Sequence, residues 1–194
     1  MRNARTYLVA ILATTLTIAG CGGGDDDDEK RPKTVTAPVP KGFALKRGPD
    51  YAFSYPSSWE VQAERRQPRG SIQSVLGPAG AGGLPPQIAV GRTPDDQGSF
   101  DMALRAWKAD NQARRARFKI LSERPVKLDG AADARLIEAQ YLQATPEKTT
   151  ETVRTIDLLV RTERGTQLDL LVRAPASDFE GTRLRDVVES FRVA

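Results

Sequence analysis

Histidine is absent from the 194 residues and cysteine occurs once. Without histidine the commonest general base near neutral pH is missing, so a Ser-His-Asp triad and a histidine-based zinc site are both excluded. A single cysteine excludes disulfides within the chain. No apolar run is long enough to span a bilayer, the clearest being the dozen or so residues from Tyr7 to Ala19. Charge of one sign is also scarce: 29 basic against 25 acidic residues leave +4, and about +2 once Arg2 and Arg5 are set aside. That is no signature of a nucleic-acid partner. Catalysis is left with a carboxylate pair or a Ser-Lys arrangement. Asp95-Asp96 and Glu147 with Glu151 sit in expected turns, and no spacing singles them out. The expectation is a protein that is not an enzyme and has no cofactor and no metal.

What is present begins with Arg2 and Arg5, the Tyr7 to Ala19 run, and then Ile18-Ala19-Gly20-Cys21. A positive start followed by a short apolar core is the layout of a secretory signal. Small residues at Ala19 and Gly20 let a processing enzyme approach the backbone, and the Cys21 thiol can become a thioether to lipid. Two other readings are a short buried helix ending in a chance cysteine, and an ordinary signal cut near Thr15 or Ala19. A buried helix would not begin after two arginines and end in a Gly-rich acidic run. The stretch resembles the lipobox of bacterial lipoproteins. The resemblance implies diacylglycerol on Cys21, cleavage after Gly20, and attachment to the extracytoplasmic face of the cell membrane, with the lipid bilayer as one partner.

From Cys21 to Gly42 the chain is Gly-, Asp- and Pro-rich, with Asp25-Asp26-Asp27-Asp28-Glu29 at its centre. A calcium loop spaces its oxygens around a glycine turn, whereas five consecutive carboxylates point everywhere. Too little apolar side chain is present to bury a core, so a disordered tether is expected, with a reach of roughly 25 Å.

Residues 43–194, about 150 of them, suit one domain with one core. Tyr51 to Tyr55 alternates as a strand, Pro56-Ser57-Ser58 reads as a turn joining it hairpin-like to the next, and in that next strand Trp59, Val61 and Ala63 alternate onto one face, which places Trp59 in the core. Ser71 to Leu76 and Gln87 to Gly91 are further strands. The Gly- and Pro-rich loop from Gly77 to Pro86 lacks the Lys-Ser/Thr and the helix that a phosphate cradle needs. Ser99 is a good N-cap for a helix bearing Phe100, Ala103, Leu104 and Trp107 and running to about Arg115. Arg114, Arg115, Arg117 and Lys119 at its end suit the helix dipole, with an anionic ligand as the other reading. Phe118 to Leu128, interrupted by Pro125, suggests an edge strand. Ala131 to Leu142 alternates. Val153 to Arg161 and Thr166 to Arg173 form a hairpin that sets Ile156, Leu158 and Val160 against Leu168, Leu170 and Val172. Ser177 or Asp178 then caps a last helix carrying Phe179, Leu184, Val187, Val188 and Phe191.

Strands with helices at two points read as α+β, an antiparallel β-sheet with helices packed on its faces. Phe53-Ser54-Tyr55-Pro56-Ser57-Ser58-Trp59 and the closing Ala174-Pro175, Phe179 and Ser190-Phe191 resemble the opening and ending of PsbP/Mog1-like domains, whose bacterial relatives include DcrB-like and LpqN-type proteins. The resemblance covers about residues 43–194. It supplies no catalytic residues and implies a binding or assembly module in the cell envelope, acting on an unknown envelope protein or ligand. The alternative is a carrier holding a small apolar or lipidic ligand between sheet and helix, which needs a cavity of several hundred Å³.

Overall fold

The computed structural model describes residues 38–80 and 83–194. Cys21, the expected signal and the expected tether as far as residue 37 lie outside the described residues. Eleven strands and two α-helices are defined among those described: β1 (Phe43–Arg47), β2 (Tyr51–Pro56), β3 (Glu60–Val61), β4 (Arg65–Gln67), β5 (Gly70–Leu76), β6 (Gln87–Thr93), α1 (Phe100–Arg114), β7 (Ala116–Pro125), β8 (Ala131–Ala144), β9 (Thr150–Thr162), β10 (Gln167–Pro175), α2 (Leu184–Ser190) and β11 (Arg192–Val193). No helix among the described residues is long and apolar enough to cross a membrane.

The hairpin of β9 and β10 pairs as its alternation requires, with Leu168 opposite Val160, Leu170 opposite Leu158 and Val172 opposite Ile156. All six side chains are at most 2% exposed. Around this pair grows a large antiparallel sheet in the order β3-β5-β6-β10-β9-β8-β7, with β4 also on β5. β7 is an edge, as the proline suggested, and two register shifts against β8 break its regularity. β1, β2 and β11 form a separate three-stranded sheet.

One face of the large sheet packs against the small sheet and α2. Phe53, Phe179, Leu184, Val187 and Phe191 fill this layer at 0–1% exposure. Tyr51 stacks on Phe53 and on Phe191, each with ring centroids 6.1 Å apart. The Ser190 hydroxyl ties α2 to β2: it accepts from the Ser54 amide at 2.8 Å and donates to the Val187 carbonyl at 2.7 Å. The Ser54 hydroxyl donates to the Pro38 carbonyl at 2.7 Å, and Arg183 donates to the Lys41 carbonyl at 3.1 Å, so the chain is already held to the domain ahead of β1. At the rim, Arg154 and Arg185 bridge Glu138 and Glu180 at 2.9–3.3 Å, fastening β8, β9 and α2 together.

The opposite face carries α1. Ser99 caps it, its hydroxyl accepting from the Met102 amide at 3.2 Å. Leu104 meets Ile137 and Leu159 in a second, smaller core flanked by Phe100, Trp107 and Ile120.

Three expectations need correction. Pro56-Ser57-Ser58 does not join a hairpin: β2 stays in the small sheet while β3 crosses to pair with β5 in the large one. Val61 is 37% exposed and Ala63 is exposed, because β3 is a two-residue edge strand and alternation does not say what covers it. The last helix is split. Phe179–Thr182 is a single 3-10 turn, with the Thr182 hydroxyl donating to the Phe179 carbonyl at 2.6 Å. Arg183 at φ 58° then re-aims the chain into α2, so that Phe179 and Leu184 can both point inward. Asp178 makes no side-chain capping bond.

Candidate functional site

Three of the residues that carry the resemblance meet on one surface, while Phe53, Phe179 and Phe191 are buried in the core. Pro56 and Trp59 from the opening, Pro175 from the ending, and Pro78 and Pro86 from the Gly77 to Pro86 loop line an open groove of about 630 Å³, with Phe43 at its side and Asp178 and Arg183 at its rim. The Trp59 amide donates to the Pro56 carbonyl at 2.9 Å and closes the corner. The indole then lies so near Gly77 that a Cβ there would sit 2.6 Å from its ring and 2.7 Å from Pro86. Only glycine permits that approach. Trp59 is therefore not a core residue as expected: it is half-buried, packed on the core's edge while it lines the groove. Trp59→Ala should cost about 2 kcal/mol in urea unfolding, roughly half the 3–5 of a fully buried aromatic. A loss of the full amount would mean that the indole is a core element after all.

A second feature lies on the α1 face. Asp157 and Asp169 occupy diagonal positions of the β9–β10 pair, since Asp169 stands opposite Leu159. Asp157 is 1% exposed and its Oδ1 accepts from the Trp107 indole at 3.1 Å. Burial pushes its carboxyl up to about 6, against the pull of Arg115. Burial, and then the neighbouring Asp157, push Asp169 up to about 8. Asp169 borders a cleft of about 280 Å³ between α1 and the β4–β5 hairpin. Asp169 Oδ1 and Gln167 Oε1 are buried there without a hydrogen-bond partner. The signal for this pair was in the sequence: an acid interrupts each of the two most apolar strands, in Ile156-Asp157-Leu158-Leu159-Val160 and Leu168-Asp169-Leu170-Leu171-Val172.

The other sequence candidates do not form a site. The basic cluster is dispersed: Arg114 pairs with Asp110, Arg115 lies 4.4 Å from the Tyr141 ring centroid, and Arg117 sits at φ 53° within the irregular start of β7. Asp96 pairs with Arg161 at 3.0 Å and accepts from the Gly98 amide at 3.1 Å, a structural role. Glu147 lies in the turn before β9, whereas Glu151 is a residue of β9 itself and not of a turn as expected. Cys21 lies outside the described residues.

No family model matches the chain, and no curated protein matches it in sequence. Solved structures do. LpqN of Mycobacterium tuberculosis, described as involved in cell envelope biogenesis, aligns with 78% of this chain and 90% of its own at TM-score 0.52 and 14% identity. A Pseudomonas aeruginosa protein of unknown function aligns with 76% of this chain and 94% of its own at TM-score 0.50 and 14% identity. The Ran-binding protein Mog1p of Saccharomyces cerevisiae aligns with 78% of this chain and 96% of its own at TM-score 0.48 and 14% identity. Likeness at such identities speaks of fold and not of activity. The chain has an α+β fold like that of LpqN and the Pseudomonas protein, antiparallel sheets with a helix packed on each face of the larger one.

Proposed function

We propose that this protein is a membrane-anchored, extracytoplasmic lipoprotein that acts as a non-catalytic binding or assembly module of the cell envelope and receives an envelope protein in the Trp59 groove. The observation that carries the reading is the groove itself: about 630 Å³ walled by Pro56, Trp59, Pro78, Pro86 and Pro175. Prolines and an indole present a rigid apolar surface that loses little entropy when covered. The description of LpqN as involved in cell envelope biogenesis supports the compartment. The alternative, a small lipidic ligand held between sheet and helix, is less favoured because Phe53, Phe179 and Phe191 fill that layer.

The test is affinity capture of the lipidated protein from its own membranes, with mass analysis of both proteins and lipids. An envelope protein captured by wild type and lost with Trp59→Ala supports the reading. Capture of lipid alone favours the carrier, and identical capture by both proteins overturns the role of the groove.

Anchoring is tested separately. The two acyl chains of a diacylglyceryl group joined to Cys21 by a thioether exceed the marginal hold of a single chain, at about 0.8 kcal/mol per buried methylene. Wild type should fractionate with membranes and begin at a lipid-bearing Cys21. Cys21→Ser should gain no lipid mass and either keep residues 1–20 or be cut elsewhere. Soluble, unlipidated wild type beginning at another residue would refute the anchor.

A further inference from the structure

We propose that the cleft between α1 and the β4–β5 hairpin binds a small organic ammonium ion, its N–H donors on the unpaired oxygens of Asp169 and Gln167 and its carbon skeleton against Trp107. The cleft shares no lining residue with the Trp59 groove, so the proposal stands apart from the reading above.

The donor–acceptor balance gives the ligand its class. Gln167 spends its Nε2 on the Leu168 carbonyl at 3.3 Å, which leaves Oε1 unpaired. Asp169 Oδ1 is likewise buried and unpaired. The Trp107 indole N–H is taken by Asp157. The cleft therefore offers acceptors from below, and a ligand that brings donors relieves the cost of leaving them unmade.

Charge narrows the class further. Asp157 and Asp169 face Arg115 from α1's end, two carboxylates to one guanidinium. Arg92 and Arg161, the nearby cations of β6 and β9, are engaged by Asp50 and Asp96. Among the groups away from solvent, one negative charge is thus left over when Asp169 is ionised, and a single cation balances it. Arg69, exposed at the mouth, disfavours a second positive charge on the ligand. One wall is apolar, with Ile72, Ala103 and Leu159 beside the Trp107 ring, while Gln67, Ser71, Arg92 and Thr93 line the side toward β4, β5 and β6. Gly91, opposite Asp169 on β6, keeps the floor open: a Cβ would fit, 3.7 Å from that of Asp169, but a larger side chain would fill the space.

Because burial and Asp157 hold Asp169 up at about 8, an ammonium ion must displace its proton. Affinity should rise about tenfold per pH unit below that value and level off above it.

The test uses the full chain in mild detergent, with cyclohexylamine as probe and cyclohexanol as its neutral counterpart. The readout is the NMR signal of the Trp107 indole N–H. Cyclohexylamine should shift it saturably, binding about tenfold tighter at pH 7.5 than at pH 6.5. Cyclohexanol should bind at least tenfold more weakly. Asp169→Asn should abolish the pH dependence and weaken the amine at least tenfold, and Gly91→Val should block binding by filling the floor. Should Asp169→Asn fail to fold, Gly91→Val and the alcohol decide alone. No saturable shift in wild type, equal binding of amine and alcohol, or an unchanged amine response in Gly91→Val overturns the proposal.

Discussion

Replacing Phe53 by alanine should cost about 3–5 kcal/mol of folding stability, the range for emptying a fully buried aromatic site. Phe53 is 0% exposed and stands between Tyr51 and Tyr55, with ring centroids at 6.1 and 6.3 Å. It comes from the small sheet and is buried with side chains of the large sheet and α2. Its removal therefore leaves a cavity where three elements meet, and neither sheet can close it without breaking its strand pairing. Urea unfolding followed by far-UV circular dichroism measures the loss. Val61→Ala, on the exposed face of β3, should stay within about 0.5 kcal/mol and serves as the surface reference. A Phe53→Ala loss under 1 kcal/mol would mean that the small sheet is not part of the cooperative unit.

Raising the pH from 5 to 8 should weaken the protein steadily, and Asp169→Asn should remove most of that slope. Unfolded, both aspartates return to an ordinary value near 4. Folded, Asp169 stands at about 8 and Asp157 at about 6. Between the two values the native state keeps a proton that the unfolded state has lost. The stability contributed by neutral Asp169 is therefore whole below about 4 and is lost as the pH climbs through 8, at no more than about 1.4 kcal/mol per unit. Asp157 adds to the slope only in the lower part of that window. Glu138 works in the opposite sense: the hydrogen bond from Arg185 holds its carboxyl below the usual range, so its contribution is lost in acid. Thermal unfolding of wild type and Asp169→Asn at several pH values separates these effects. Parallel pH profiles for the two proteins would show that Asp169 does not retain a proton in the native state.

Much of the fold is written in local pattern. The two strongest strands, β9 and β10, announce themselves by alternation, and the Arg164-Gly165 turn fixes their register. Gly165 at φ +82° takes up the conformation that the turn demands. Ser99 and the spacing of Phe100, Leu104 and Trp107 place α1 to within a residue. The weak elements carry no such signal. β4 is three exposed polar residues and β11 is two residues long, so each exists only because a longer strand lies beside it.

The sequence by itself determined the absence of histidine chemistry, the lipobox-like start, the strand and helix periods, and hence the α+β class, because each depends on residue type or on spacing within one segment. Only the tertiary structure decided that the chain crosses between two sheets at Pro56-Ser57-Ser58, that Trp59 packs at the core's edge and lines a groove against Gly77, and that Asp157, buried, and Asp169, half-buried at a cleft, stand together beside Arg115. These depend on which faces meet across the fold. Periodicity tells a side chain to leave the strand on one side, but burial and the proton affinity that follows from it are set by whatever distant segment comes to rest on that side.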